Sequence, residues 1–535
     1  DARPAGVLGR ALLRVLRVLS MSAPATHGPW SPLGQPTFRA LWLAILVGNI
    51  GTWIHDVAAA WVMAETTNSP LMVAAVQSAT TLPVVLLAII AGTLADIVDR
   101  RRYLILAQLW MLLIASTLAV LAHLDRLGPW TLVTLTFALG IGAAMAMPAQ
   151  QATTPELVPK PMLGPAVALG SLSMNIARAI GPALGGLIVA QAGIAWAFAV
   201  NALTFLGVAV VLWCWRRVPA ATALPPETSG VALRAGLRYA MQASVLQAVL
   251  VKAAGFFTFA SALTALLPIV VKQDLQASAG TYGLLLGCIG AGAIAGAMVL
   301  PGLRTRLDPD RLVLVATLAY AGCTLGVALL RWIHLLYAVA LLAGFAWIAV
   351  LSSLQIAAQT AVPAWVRARA LSLYIVVFSA GMAAGSLGWG AAAQTFGTPA
   401  ALAAAAVGTA LAALFGLRFR LGEAARVNVT PSGHWPQPIV SPELEDERGP
   451  VLVTVEYRID PARRTTFLQR VQPLGRARRR NGALQWGVTE DERAIQDALL
   501  ETLADPAQRP LVRHFIGGAP GVAPPSAAPA QGGLA

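Results

Sequence analysis

The chain is a succession of apolar runs, each close to twenty residues, separated by short polar breaks. At 1.5 Å per residue, a helix of that length crosses the roughly 30 Å hydrocarbon core of a bilayer. Six runs lie near 38–62, 70–95, 102–123, 129–152, 164–191 and 194–214, and six more near 245–271, 279–301, 311–331, 334–358, 368–394 and 398–417. Between the two sets RRVPAATALPPETSG turns polar, and from Arg418 onward the membrane pattern stops. The pattern predicts an N-terminal extension over 1–36, a six-helix half over 37–215, a central loop over 216–244 and a second half over 245–418. A linker over 419–448, a small tail domain over 449–516 and a disordered end over 517–535 complete it. The expected fold class is all-α integral membrane, twelve transmembrane helices in two six-helix halves, with a small α/β cytoplasmic appendage at the C-terminus.

The two ends of the chain read differently. Residues 1–20 repeat Leu, Val and Arg at helical spacing, as a basic helix on a membrane surface would. Met21 is the expected start, with the preceding stretch outside the natural reading frame. In the tail, PVLVTVEYRID alternates like a strand, PARRTTFLQRVQPLGRARRRNG reads as a helix and ALQWGV as a second strand. The closing GGAPGVAPPSAAPAQGGLA is of low complexity.

Composition strengthens the membrane reading. Hydrophobic residues make up 57% of the chain and charged ones 12%, with a mean hydropathy of +0.68. A soluble protein carries about 25% charged residues. The net charge of +14 belongs to loops; no compact basic domain with aromatic platforms is present to bind nucleic acid. Cys214, Cys288 and Cys323 lie in or beside apolar runs and show neither metal spacing nor a disulfide framework. No metal or cofactor is expected. No G-x-x-x-x-G-K-[ST] occurs, so the chain itself carries no such ATP site.

The basic residues set the orientation. Loops 2–3, 4–5, 6–7, 8–9 and 10–11 and the segment after span 12 hold fifteen Lys and Arg, while the opposite loops hold Arg126, Lys272 and Arg331. Cytoplasmic loops collect such residues, so both termini are expected in the cytoplasm of an inner (plasma) membrane protein.

The halves echo each other. Gln151 and Gln359 are each followed four residues later by Pro, and Gly181, Gly186 and Gly193 match Gly385, Gly390 and Gly397 at one constant offset. A duplicated six-span unit would place a substrate site near the midplane between halves.

The stretch GTLADIVDRRRYL, Gly92 to Leu104, joins spans 2 and 3. Gly92 and Ala95 are small enough for close helix approach. Asp96 and Asp99 can pair with cations or a helix N-terminus, and Arg100, Arg101 and Arg102 can pair across the interface between halves or hold anionic headgroups. These charges form a candidate conformational latch: Gly92, Asp96, Asp99, Arg100 and Arg101. In span 1, IHDVAA carries Asp56; in span 5, Arg178 lies within the apolar run and takes Asp56 as its natural partner. A carboxylate beside an Arg holds its proton weakly, and one left unpaired in a dry site holds it tightly. Alternation between the two would let Asp56 carry a proton, whereas a static pair, or an Asp56 near the outer surface with His55, would be structural. Asn49, Gln77 and Gln359 join Asp56 and Arg178 as candidate path residues, and Lys252, early in span 7, is placed to snorkel. In GPALGG, Pro182 removes a backbone donor and Gly181, Gly185 and Gly186 admit a neighbouring helix.

Gly92, Leu94, Asp96, Arg100 and Arg101 resemble the 2–3 loop signature of the major facilitator superfamily, with Asp99 where that signature has a second Gly. ADIVDRRR, NIGTWIHDVAAAWVM, TPELVP and NIARAIGPALGGLI resemble the branch of transmembrane secretion effectors, near the enterobactin exporters. The resemblance covers roughly 37–417 and implies the major facilitator fold. GPALGG resembles the span-5 signature of the superfamily's antiporters. The superfamily's span-4 signature has an Arg, often linked to proton coupling, where this chain has Thr136, a departure that counts against coupling by that route. The start of the tail resembles the ferredoxin-like domain of antibiotic-biosynthesis monooxygenases. It is read as a regulatory or self-associating appendage without catalysis. The function these features imply is export of a small amphipathic molecule (a drug, siderophore or secondary metabolite) by alternating access in exchange for protons. The alternatives are an importer or facilitator on the same fold, and a membrane-tethered sensor or enzyme acting through the tail.

Overall fold

The computed structural model describes residues 28–215, 243–362, 367–421, 452–456, 462, 465–469 and 512–516. Twelve of its helices are long and apolar enough to cross a membrane. The first half holds α1 (Pro36–Thr66), α2 (Pro70–Ile97), α3 (Arg100–His123), α4 (Pro129–Leu157), α5 (Leu163–Gln191) and α6 (Ile194–Cys214). The second holds α7 (Ser244–Ile269), α8 (Ala279–Arg304), α9 (Pro309–Leu329), α10 (Ile333–Thr360), α11 (Arg367–Phe396) and α12 (Thr398–Phe415). Each sits close to an expected span. α7 runs on as a π-helical turn, Val270–Asp274.

Local chemistry sets where the helices begin. Pro opens α1, α2, α4 and α9, where its missing N–H would have had no helical partner. Ser69, Asp99 and Asp308 cap α2, α3 and α9 by accepting from the backbone N–H of Met72, Arg102 and Asp310. Gly193 and Gly397 precede α6 and α12 with φ of 92° and 88°, a region that disfavours a Cβ. The two glycines hold equivalent places in the two halves.

Lipid tails are as apolar as the helices, so association rests on close approach and interhelical bonds rather than on the hydrophobic effect. The halves meet chiefly along two helix pairs, α5 with α8 and α2 with α11. At Gly186 an added Cβ would lie 2.7 Å from both the Ala279 carbonyl oxygen and the Gly283 Cα. At Gly390 it would lie 2.5 Å from the Ala74 Cβ. The repeated glycines therefore do matching work: Gly181 packs on α1 and Gly385 on α7, within their own halves, while Gly186 reaches α8 and Gly390 reaches α2, across the divide. The duplication in sequence is a pseudo-two-fold in packing.

Inside the second half, Phe256 and Phe257 of α7, Tyr320 of α9, Trp347 of α10 and Phe378 of α11 form a ring cluster with centroids 4.6–6.5 Å apart. The Tyr320 hydroxyl donates to the Ala260 carbonyl at 3.1 Å, so its polar end is satisfied in the core.

The tail belongs mainly to a second compact unit. Its described residues include strands β1 (Leu452–Glu456) and β2 (Val512–Ile516), paired in parallel with Leu452 opposite Val512, and helical residues 465–469. β1 falls where the first strand was expected, but β2 falls in a segment the pattern did not mark. The expected strand ALQWGV, the stretches 1–27 and 216–242, nearly all of the 419–448 linker and the end 517–535 lie outside the described residues.

The seam yields a test. Gly283→Val forces a side chain against the Pro182 carbonyl and Gly186. Overpacking of that kind costs about 1–3 kcal/mol, roughly a 5- to 150-fold population shift. In a background lacking the three native cysteines, a disulfide between cysteines placed at Ser69 and Gln394 is expected to form readily, and Gly283→Val to suppress it by that order.

Candidate functional site

The helices expose two chemically different ends. At the end carrying Glu65, side chains bridge the halves. Trp61 Nε1 donates to Glu65 Oε1 at 2.7 Å, and Lys272 Nζ lies 4.0 Å from the same carboxylate and 5.6 Å from the Trp61 ring centre. Trp61 stacks on Tyr282 of α8 at 6.1 Å and 23°. Ser69 Oγ donates to Gln394 Oε1 at 3.0 Å, and deeper in the seam Ser78 Oγ donates to the Ala383 carbonyl at 2.8 Å. Charge, rings and hydrogen bonds together shut this end.

At the other end, Arg100 and Arg101 bind inside the first half. Arg100 Nη1 donates to Glu156 Oε1 at 2.6 Å and to the Ala152 carbonyl at 3.2 Å, both at the end of α4. Arg101 donates to the Leu212 and Trp213 carbonyls at 2.9 and 2.5 Å, where the C-terminus of α6 carries partial negative charge. These bonds clasp α3 onto α4 and α6. Asp99 caps α3. Gly92 is not a close-approach point, because an added Cβ there would meet nothing within 4 Å. Asp96 ends α2, and its side chain lies outside what the structure describes. In the second half, Arg304 donates to Ser352 Oγ at 2.7 Å. Lys252 reaches toward this end and pairs with Asp310 in the first turn of α9, which also accepts from the Leu421 N–H.

Between the ends runs a polar face. Asn49, Trp53 and Asp56 recur at i, i+4 and i+7 on α1 and so share one side. All three are half-buried. Ser171, Asn175 and Arg178 recur with the same spacing on α5. Beyond Arg178 toward the Glu65 end, the exposed apolar residues of that helix are Ile180, Leu184 and Leu187, which lie roughly 180–240° round it from Arg178, so in that part of the helix Arg178's side faces inward. On the same inward side, nearer the Arg100 end, Ser171 and Met174 are nevertheless exposed, Met174 by 44%.

Asp56 and Arg178 do not form an ion pair. The guanidinium lies 5.9 Å over the Trp53 ring, and among the described residues the Asp56 carboxylate has no hydrogen bond and no counter-ion. His55 turns the other way, fully buried 5.1 Å from Phe198 of α6, with neither ring nitrogen bonded. It is part of the packing between α1 and α6, not a surface companion of Asp56. Gln77 and Gln359 are half-buried, and Thr136 is fully buried with its hydroxyl unbonded.

The span-5 motif serves two neighbours. Gly181 and Gly185 let α5 sit on Trp53 and Ile54 of α1, while Pro182 and Gly186 face Gly283 of α8. Pro182 also denies Arg178 its usual i+4 backbone donor, and the Arg178 carbonyl abuts Gly290. Trp61, Glu65, Lys272, Tyr282 and Gln394 were not singled out from sequence. The one available signal was the scarcity of cations at that end, where Lys272 stood almost alone.

A family model described as transmembrane secretion effector matches residues 27–515. The enterobactin exporter EntS of Salmonella typhi is 29% identical over 338 residues, 63% of this chain and 78% of the relative. EntS of Escherichia coli O1:K1 / APEC is 29% identical over 343 residues, again 63% and 78%. Among solved structures, an inward-facing, unoccupied bacterial homologue of the human lysosomal transporter Spinster aligns with a TM-score of 0.57 at 16% identity, covering 73% of this chain and 96% of that one. A D-xylose–proton symporter aligns at 0.56 and 15%, covering 72% and 98%. These likenesses establish the fold, and the family match over most of the length establishes membership: the chain belongs to the transmembrane secretion effectors, transporters of the major facilitator superfamily.

Proposed function

We propose that the protein exports a small amphipathic molecule, such as a drug, siderophore or secondary metabolite, from the cytoplasm by alternating access, in exchange for protons. The carrying observation is the contrast between the two ends: bonds across the halves at the Glu65 end, bonds within each half and an exposed α5 face at the Arg100 end. The excess of Lys and Arg assigns the Arg100 end to the cytoplasm of the inner membrane, with both termini on that side. The conformation is then inward-open, ready to load cargo from inside. The kinship with enterobactin exporters supports the outward direction and a small organic cargo.

Asp56 is the proton carrier in this reading. Its carboxylate lies on the inward face, just below the Trp61–Tyr282 stack, with no cation committed to it. When the halves rock and the Glu65 end opens, Asp56 meets the outside and takes a proton; when that end closes again, the proton leaves toward the cytoplasm. The Arg100–Glu156 and Arg101 clasps keep the first half rigid while it pivots. The tail is an appended α/β unit that regulates or pairs copies of the protein. The helical stretch at 465–469 lies between the two paired strands along the chain.

Three outcomes follow. In inverted vesicles, an imposed pH gradient is expected to drive uptake of the exported compound, and Asp56→Asn to abolish that drive while leaving exchange of labelled for unlabelled compound intact. Gradient-driven uptake by Asp56→Asn would remove Asp56 from coupling. Glu156→Gln is expected to lower maximal transport rate without changing KM, and Arg100→Gln to add no further loss, since both break one clasp. Deleting residues 440–535 is expected to leave gradient-driven transport unchanged, and lost transport in a folded truncation would move the function into the tail.

A further inference from the structure

Arg178 is at the sixteenth of the 29 positions of α5, midway along a helix that spans the membrane. A guanidinium at that depth is costly unless an anion or water meets it. Among the described residues no carboxylate or hydrogen-bond acceptor answers its side chain; its contact is the face of Trp53. A cation near the face of a Trp ring is attracted by the ring's quadrupole, and that contact uses none of the guanidinium N–H groups, which are left free to donate. Glu156 answers Arg100 and Asp310 answers Lys252, whereas among the described residues no acidic side chain answers Arg178. The side chain faces away from the lipid side of α5, and the exposed Ser171 and Met174 lead to it from the Arg100 end. Just beyond it the route closes, where Arg178 and Ala179 abut Gly290 and Gly186 abuts Gly283. A molecule entering from the Arg100 end meets Arg178 at the floor of its path.

We propose that Arg178, held beside Trp53, is the binding group for an anionic oxygen group of the cargo, so that the transported class is amphipathic organic anions. A fork of N–H donors suits a carboxylate or similar oxyanion bidentately, and the Trp53 ring beside it takes the apolar body. Asp56, one turn further along the same α1 face, stays available for the proton, which separates the two roles. This rests on reading the α1–α5 face as the transport path.

Trp53 is itself the reporter. The full chain in detergent is quenched with iodide, caesium and acrylamide at constant ionic strength, and the Trp53 contribution is taken as the difference between each protein and its Trp53→Phe partner. Acrylamide is expected to reach Trp53, and iodide to quench it several-fold more efficiently than caesium. Arg178→Gln should bring the two ions to parity, and Arg178→Lys should keep most of the preference. Cyclohexanecarboxylate should relieve the iodide quenching, and uncharged cyclohexanecarboxamide should not. If acrylamide cannot reach Trp53, the transport-path reading itself fails. If acrylamide reaches it but iodide has no advantage, or keeps its advantage in Arg178→Gln, the anion site is overturned while the path stands. Relief by chloride but not by cyclohexanecarboxylate would restrict the site to inorganic anions and overturn the cargo class. Should Trp53→Phe fail to fold, the iodide-to-caesium ratio of total fluorescence in wild type, Arg178→Gln and Arg178→Lys decides the same question.

Discussion

Hydrocarbon gives helices no reason to prefer one another over lipid, so two membrane-embedded bundles stay together only where their backbones come close enough for dense dispersion contact. In this protein that approach occurs where α5 crosses α8, at Gly186 and Gly283, and again where α11 crosses α2, at Gly390 and Ala74. Both crossings lie toward the Glu65 end. The exposed inner face of α5 toward the Arg100 end and the depth at which Asp56 and Arg178 sit both follow from where those contacts fall. Pseudo-symmetry makes the seam two-sided, the arrangement that the proposed rocking of the halves requires.

The ion pairs divide by strength in a way that suits such a pivot. Lys272 and Glu65 meet at 4.0 Å with side chains 42% and 39% exposed. A pair of that kind contributes about 0–1 kcal/mol, so it marks the closed end without locking it. Arg100 and Glu156 meet at 2.6 Å, are 25% and 15% exposed, and share their helices with further arginine-to-carbonyl bonds. Hydrogen bonds to charged groups contribute about 1.5–3 kcal/mol each. Strong bonds therefore lie within a half and weak ones between halves, which is the ordering that lets a bundle move without melting.

The polar face shows a related economy. A static Asp56–Arg178 pair would have neutralised both charges and left neither free to act. With Arg178 at the Trp53 ring instead, the two side chains stay apart, which is the arrangement the proposed separate roles need. Pro182 contributes from the same helix, by freeing the Arg178 carbonyl and by lying against Gly283.

Much of this was determined along the chain. Run length fixed the spans, because a bilayer sets one thickness for every crossing. The constant offset between Gly181, Gly186, Gly193 and their counterparts announced the duplication, because the same backbone demand recurs in each half, as φ at Gly193 and Gly397 attests. Capping by Ser69 and Asp99 was likewise local. Partner choice was not. Arg100 and Arg101 turn to α4 and α6, Lys252 to Asp310, Gly92 to open space and Arg178 to a ring rather than to Asp56. Strand β2 lies far along the chain from the strand it pairs with. Helices are built from contacts three and four residues apart, so sequence alone specifies them. Which side chain meets which depends on how far each helix slides and turns against its neighbours, and only the folded bundle decides that.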